Sequence, residues 1–182
     1  MHNTDTRIQV TRTMFHQAML ALLEEKAIGF ISVKELCARA GLNRGTFYLH
    51  YSEPIDVLHE MEEIVQEKVN PVITDSIYED LPAALALIRE NSRLVAVVIG
   101  HNGDPTFLKG VRDAEYQRTE PKLLSRYPKC SAEEVKMAFD FLFSGCTGAV
   151  TAWLQNQCKE PTDQFAKRLA RLCESVFNTL KG

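Results

Sequence analysis

Ten consecutive residues, LNRGTFYLHY at 42–51, hold four rings (Phe47, Tyr48, His50 and Tyr51), one guanidinium (Arg44), one aliphatic hydroxyl (Thr46) and one glycine (Gly45). Projected as a helix over 44–51 at about 100° per residue, Phe47 and Tyr51 share one face as an i, i+4 pair. The opposite arc carries Gly45, Thr46, Tyr48 and Leu49, with Arg44 at the helix start and His50 on the flank. The chemistry on that arc is hydrogen-bond donation beside small apolar contacts. Arg44 can fork onto N7 and O6 of a guanine, worth about 1–3 kcal/mol of base discrimination, and the Thr46 methyl can meet a thymine methyl. The Tyr48 hydroxyl and His50 can donate to phosphate oxygens. Gly45 costs a helix roughly 1 kcal/mol relative to alanine, which makes sense where another surface must come close.

Such a helix needs neighbours to aim it. Just before it, SVKELCARA predicts a second helix: Ser32 can cap its start, Glu35 can reciprocate as in a capping box, and Gly41 stops it. GLN is then a tight turn with Asn43 as the cap of the third helix. Two short helices joined by a three-residue turn containing glycine form a helix-turn-helix. The Ser32 hydroxyl can donate to phosphate, and Lys34 can reach the backbone or a base. Upstream, Ile8, Phe15, Ala18, Met19, Leu22 and Leu23 fall on one stripe of a first helix over about residues 5–26, ending near Gly29. Pro54 suits the first turn of a fourth helix carrying Val57, Leu58, Met61, Ile64 and Val65 to about residue 70.

Pro71 and Pro82 bracket a bend between a head (1–52) and a larger helical body (53–182). The body offers PAALALIRENSRLVAVVIG, a HNGDP break in which Asp104 before Pro105 reads as a helix cap, TFLKGVRDAEYQR, and a Pro121 to Pro128 stretch. Two long helices follow, near 132–156 and 162–181. Period-two alternation is scarce throughout, so the fold class is all-α.

Composition narrows the function. At 182 residues the chain can bury about 70% of its unfolded surface. The net charge of −3 and pI near 6.0 argue mildly against a polyanion partner. Residues 1–55, however, carry six Lys/Arg against five Asp/Glu, a balance of +1 that leaves −4 for the rest. Five cysteines without a C-x-x-C spacing read as reduced, packed thiols of a cytoplasmic protein. The polar start MHNTDTRIQVTR lacks a signal-peptide core, and the least polar window, FLFSGCTGAVTAWL, is short of the roughly 20 residues that span a bilayer. No membrane partner is expected. With no H-E-x-x-H, G-x-S-x-G, P-loop or G-x-G-x-x-G, neither catalysis, nor a metal, nor a cofactor is expected.

A reading head this small needs a second copy, because paired recognition helices sit about 34 Å apart, one turn of duplex. The helix over 135–154 is apolar nearly all round. Val135, Ala138, Phe139, Leu142 and Trp153 lie on one side and Phe141, Gly145, Gly148 and Ala152 on another. The small residues admit a second helix closely, and the last helix adds Phe165, Leu169, Leu172 and Val176. Two such helices from each subunit make a four-helix homodimer interface.

ISVKELCARAGLNRGTFYLHY resembles the DNA-binding head of the TetR family of transcriptional regulators, and with TRIQVTRTMFHQAMLALLEEKAIGF before it the resemblance covers residues 7 to about 65. FDFLFSGCTGAVTAWLQNQ and GHNGDPTFLKGV look like the body of a TetR branch that dimerises through its last two helices. The resemblance implies a repressor that binds a palindromic double-stranded DNA operator as a homodimer. It implies DNA contacts at the positions of Lys34, Arg44, Thr46, Tyr48 and His50, and phosphate contacts at Thr11 and Ser32. It also implies a small-molecule effector in the body, for which the candidate residues are His101, Phe107, Tyr116, Phe139, Phe143 and Trp153. One departure stands out: the family usually opens its fourth helix with a phosphate-binding lysine, where this chain reads YSEPIDVL. That loss flattens the salt dependence by about one phosphate, and Glu53 adds repulsion. The alternative is a protein-interaction adaptor of the same fold in which Tyr48 and Leu49 meet protein instead of DNA.

Overall fold

A computed structural model describes residues 2–69 and 77–180; among them lie nine α-helices and one 3-10 turn, and no strand. In chain order these are α1 (His2–Leu23), α2 (Val33–Ala40), α3 (Arg44–Tyr48), α4 (Pro54–Val69), α5 (Ile77–Glu90), α6 (Ser92–Val98), α7 (Phe107–Arg126), α8 (Ala132–Gln155) and α9 (Thr162–Thr179), with the 3-10 turn at Ile28–Phe30. The chain divides into two compact units, Met1–Lys68 with Arg93–Pro105, and Val69–Ser92 with Thr106–Gly182. The head read from the sequence stopped at residue 52; the first unit runs on through α4 and takes in the segment around α6.

The first unit is built around the stripe on α1. Phe15, Ala18, Met19, Leu22 and Leu23 are buried together with Leu36, Cys37 and Ala40 of α2, Phe47 of α3, and Val57, Leu58 and Met61 of α4. Fully burying each aliphatic or aromatic side chain contributes about 1.5–3 kcal/mol, the main force holding these short helices in place. The 93–105 segment is tied to the end of α1: the Asn102 side chain donates to the Leu23 carbonyl (2.8 Å), Asn102 accepts from the Ile28 N–H (2.9 Å), and Arg93 pairs with Glu24 (2.7 Å).

In the second unit α9 packs on α5 and α8, and α7 packs on α8. Its buried residues include Leu85, Val135, Ala138, Leu142, Trp153, Phe165, Leu169 and Cys173. Ser131 opens α8 with a full capping box, accepting from the Glu134 N–H while Glu134 accepts from the Ser131 N–H (2.7 Å). Three boundaries differ from the sequence reading. Pro82 lies inside α5 instead of bounding a bend, Pro121 lies inside α7, and PAALALIRENSRLVAVVIG divides at Asn91. Pro71 and its neighbours lie outside the described residues. At 24 residues α8 is long and apolar enough by length and composition to cross a bilayer, a longer element than the apolar window suggested. All five cysteines are free, three of them buried.

Candidate nucleic-acid interface

Local chemistry sets up the turn between α2 and α3. Ser32 caps α2 by accepting from the Glu35 N–H (3.3 Å), while the Glu35 carboxylate pairs with Lys26. Gly41 closes α2 at φ +68°, a left-handed conformation in which a side chain would be strained. Asn43 caps α3, its side-chain oxygen accepting from the Thr46 N–H (2.8 Å) and from the Thr46 hydroxyl (3.2 Å). The group of Thr46 left outside the cap is its methyl. A Cβ on Gly45 would sit 3.2 Å from that Asn43 oxygen, so glycine here also protects the cap.

The two faces separate as the i, i+4 spacing requires. Phe47 is fully buried and Tyr51 is buried, whereas Tyr48 is 60% and Leu49 79% exposed; Arg44 and Gly45 are exposed, Thr46 and His50 half-buried. The regular helix is shorter than 44–51: it ends at Tyr48, Leu49 is its cap residue, and the N–H groups of both His50 and Tyr51 donate to the Phe47 carbonyl (2.9 and 3.0 Å). The anchor is a ring cluster. Phe15 of α1 meets Phe47 edge-on at 5.5 Å and Tyr51 edge-on at 5.7 Å.

Behind the rings is a polar clasp that the sequence reading missed. The Tyr51 hydroxyl donates to Glu60 of α4, whose carboxylate also lies 2.9 Å from Arg12 and 3.2 Å from His16, both on α1. Burial alone would raise the Glu60 pKa, but the Tyr51 hydroxyl, His16 and Arg12 outweigh it and hold the carboxyl below its usual value; burial, reinforced by Glu60, raises the Tyr51 phenol. The only signal for this clasp in the sequence is the i, i+4 pair Arg12 and His16 on α1.

The remaining candidates lie nearby. Ser32 and Lys34 are exposed on α2, and Thr11 is half-buried on α1 with its hydroxyl donating to the Arg7 carbonyl (2.9 Å). At the start of α4 the N–H groups of Ser52 and Glu53 donate to the Asp56 carboxylate (2.7 and 2.9 Å). Those two donors, which at a helix N-terminus could hold a phosphate, are occupied by the protein's own anion.

In the second unit the interface candidates split. Phe141 (66% exposed), Gly145, Gly148 and Ala152 form an open stripe along α8 that Met137, four residues before Phe141 and overlooked in the sequence, extends at 70% exposure. Leu172 of α9 is exposed and Val176 half-buried. Phe165 and Leu169 are instead buried inside the unit, Phe165 stacked on Trp153 at 4.8 Å, so neither is available to a second chain. The effector candidates split as well. Phe139 lies 5.2 Å from Tyr116 and 6.3 Å from Phe143, three half-buried rings in a row. Trp153 is buried in its stack with Phe165 and donates to the Glu160 carbonyl (3.0 Å), which marks it as core. Phe107 is half-buried at the start of α7; His101 is exposed and belongs to the first unit.

A second polar cluster in the first unit joins His59 and Glu62 of α4 to Asp104, with one donor atom of each within 4.8 Å of the others. The reading of Asp104 as a helix cap is corrected: α7 begins after Thr106. Burial, and then the Asp104 carboxylate, push Glu62 up to about 7 from 4.5. Since the folded state holds this proton more tightly than the unfolded chain, stability falls as pH rises from about 4.5 to about 7 and is level above. In chelator-treated buffer Glu62→Gln should gain up to about 3 kcal/mol above pH 7 and nothing below about pH 4, read from urea midpoints. An equal gain at both pH values would contradict this.

A family profile described as the C-terminal region of transcriptional regulators, of TetR type, matches residues 75–175. An uncharacterized HTH-type transcriptional regulator of Bacillus subtilis, YxbF, is 30% identical over 60 residues, 33% of this chain and 16% of that protein's length. Among solved structures, a TetR transcriptional regulator from Streptococcus agalactiae superposes with a TM-score of 0.68 at 23% identity, covering 93% of this chain and 97% of that one. NalD of Pseudomonas aeruginosa, described as the secondary repressor of a multidrug efflux pump, gives 0.60 at 19% identity over 92% and 95%.

Proposed function

The chain belongs to the TetR family of transcriptional regulators, which are not enzymes, and on that premise we propose that it is a cytoplasmic repressor that reads a palindromic operator as a homodimer. The observation that carries this reading is the division of 44–51 into a pinned inner side, Phe47 and Tyr51, and an outer side of Arg44, Gly45, Thr46, Tyr48 and Leu49. Arg44 reads a guanine and Thr46 a thymine methyl, while Lys34, Tyr48, His50, Ser32 and Thr11 position the head on phosphates. Arg44→Ala should weaken binding to the preferred duplex about 10–100-fold and relax the choice of base at one position of each half-site. Fluorescence anisotropy with single-base operator variants measures both. Unchanged base preference would remove Arg44 from the reading role.

Dimerisation is assigned to Met137, Phe141, Gly145, Gly148 and Ala152 of α8 with Leu172 and Val176 of α9. Effector binding is assigned to the Tyr116–Phe139–Phe143 row. An effector that carries the dimer from 1:99 to 99:1 in favour of the released form must prefer that form by about 5.5 kcal/mol.

A second reading, an adaptor with weak DNA binding, draws support from the start of α4, where Glu53 is exposed and Asp56 occupies the helix-end donors. Glu53→Lys separates the two. In a DNA reader it should raise duplex affinity about tenfold at ~100 mM salt and steepen the log–log salt slope by about 1 per head. In an adaptor it should alter no duplex binding.

A further inference from the structure

We propose that His59, Glu62 and Asp104 bind a divalent first-row transition-metal cation of the zinc type. His59 and Glu62, three apart on α4, share a face, and Asp104 comes from the 93–105 segment held to the end of α1 through Asn102. The three donor atoms lie within 4.8 Å of one another, and His59 Nε2 and Asp104 Oδ2 are already 3.6 Å apart. Ligands held tetrahedrally at about 2.0–2.2 Å from zinc stand roughly 3.3 Å apart. Small side-chain rotations therefore close the set.

The observation that points to a cation is Glu62. Only 6% of this residue is exposed, and its Oε1 is buried with no hydrogen-bond partner among the described residues. A buried carboxylate oxygen without a donor, on a side chain that faces a second carboxylate, is a costly arrangement that a dication converts into a bonded one. Calcium and magnesium favour all-oxygen shells, whereas an imidazole beside two carboxylates suits zinc, cobalt or manganese. His59, exposed at the rim, leaves room for a water as fourth ligand. Occupancy cross-links α4 to the 93–105 segment within the first unit.

The second unit holds a competitor for soft metals, Cys146 and Cys173, with sulfurs 3.5 Å apart. Cobalt(II) is therefore the probe, because thiolate ligation adds a near-ultraviolet charge-transfer band that nitrogen and oxygen ligation lacks. Full-length, chelator-stripped protein is titrated with cobalt chloride alongside His59→Ala and Glu62→Gln. The isosteric Glu62→Gln removes the buried charge and keeps the fold. One cobalt per chain is expected, with visible ligand-field bands, no thiolate band, and affinity about 100-fold or more weaker in both variants, since even outer-shell changes cost 10–100-fold. No binding up to about 1 mM, the weak end of specific affinity, would overturn the site. So would affinity unchanged in both variants, or a thiolate band that Cys146→Ser abolishes.

Discussion

Phe47→Ala should leave the head unable to hold its third helix. The ring is fully buried and meets Phe15 at 5.5 Å and Tyr51 at 5.6 Å. Deleting a core phenylalanine costs about 3–5 kcal/mol, a large share of the 5–15 kcal/mol available to a whole domain. Five helical residues have no independent stability, so the loss falls first on α3. Duplex binding should fall below detection while the helical content of the second unit persists, as followed by circular dichroism and anisotropy on one sample. Leu49→Ala is the control. At 79% exposed, Leu49 contributes little to folding, so stability should change by about 0.5 kcal/mol or less while operator affinity drops. A Phe47→Ala protein that still binds its duplex would show that the ring cluster does not aim the reading face.

Phe141→Glu should convert the proposed dimer into monomers. In the single chain Met137 and Phe141 stand 70% and 66% exposed on an open helix face, an apolar patch that water covers at a cost. Glutamate in that position stabilises the monomer surface and places two unpaired charges in the dimer contact, a penalty of several kcal/mol. Sedimentation equilibrium should give the monomer mass, and operator affinity should fall about 1,000-fold because two half-sites no longer bind as one. Gly148→Leu tests the same face by volume. Among the described residues no atom outside its own helix lies within 4 Å of a Cβ built there, so the monomer accommodates the side chain while a closely approaching partner helix cannot. If both variants remain dimeric, the contact lies elsewhere.

These two variants also mark what was legible in the sequence. The split of Phe47 and Tyr51 from Tyr48 and Leu49 follows from 3.6-residue periodicity alone, and Gly41, Asn43 and Ser32 announce their caps by residue type. Helix length was less legible, because Tyr51 keeps the inward direction although its N–H and that of His50 share the Phe47 carbonyl in a turn. Pro82 looked like the edge of a bend and Pro121 like the start of a separate stretch, yet each removes only one N–H, and the packing of α5 on α9 and α7 on α8 carries the helix through.

Periodicity gives a helix face but not its occupant. Phe165 and Leu169 share the apolar stripe of α9 that the chain itself covers, while Leu172 on the same helix stays exposed. Trp153 looked like a pocket residue and is stacked core. For Asp104 the local Asp-Pro pattern suggested a cap, and its neighbours His59 and Glu62, distant in sequence, were visible only in three dimensions. The phosphate-binding lysine absent from the start of α4 was legible as a departure; its physical counterpart, Asp56 occupying the helix-end donors, was not.

The account as a whole is tested most directly by selecting duplexes from a random pool with the full-length protein. It predicts enrichment of an inverted repeat whose half-sites lie one helical turn apart, about 34 Å, with one guanine per half-site whose preference disappears in Arg44→Ala. A pool that remains random, or one enriched identically by wild type and Arg44→Ala, would contradict it.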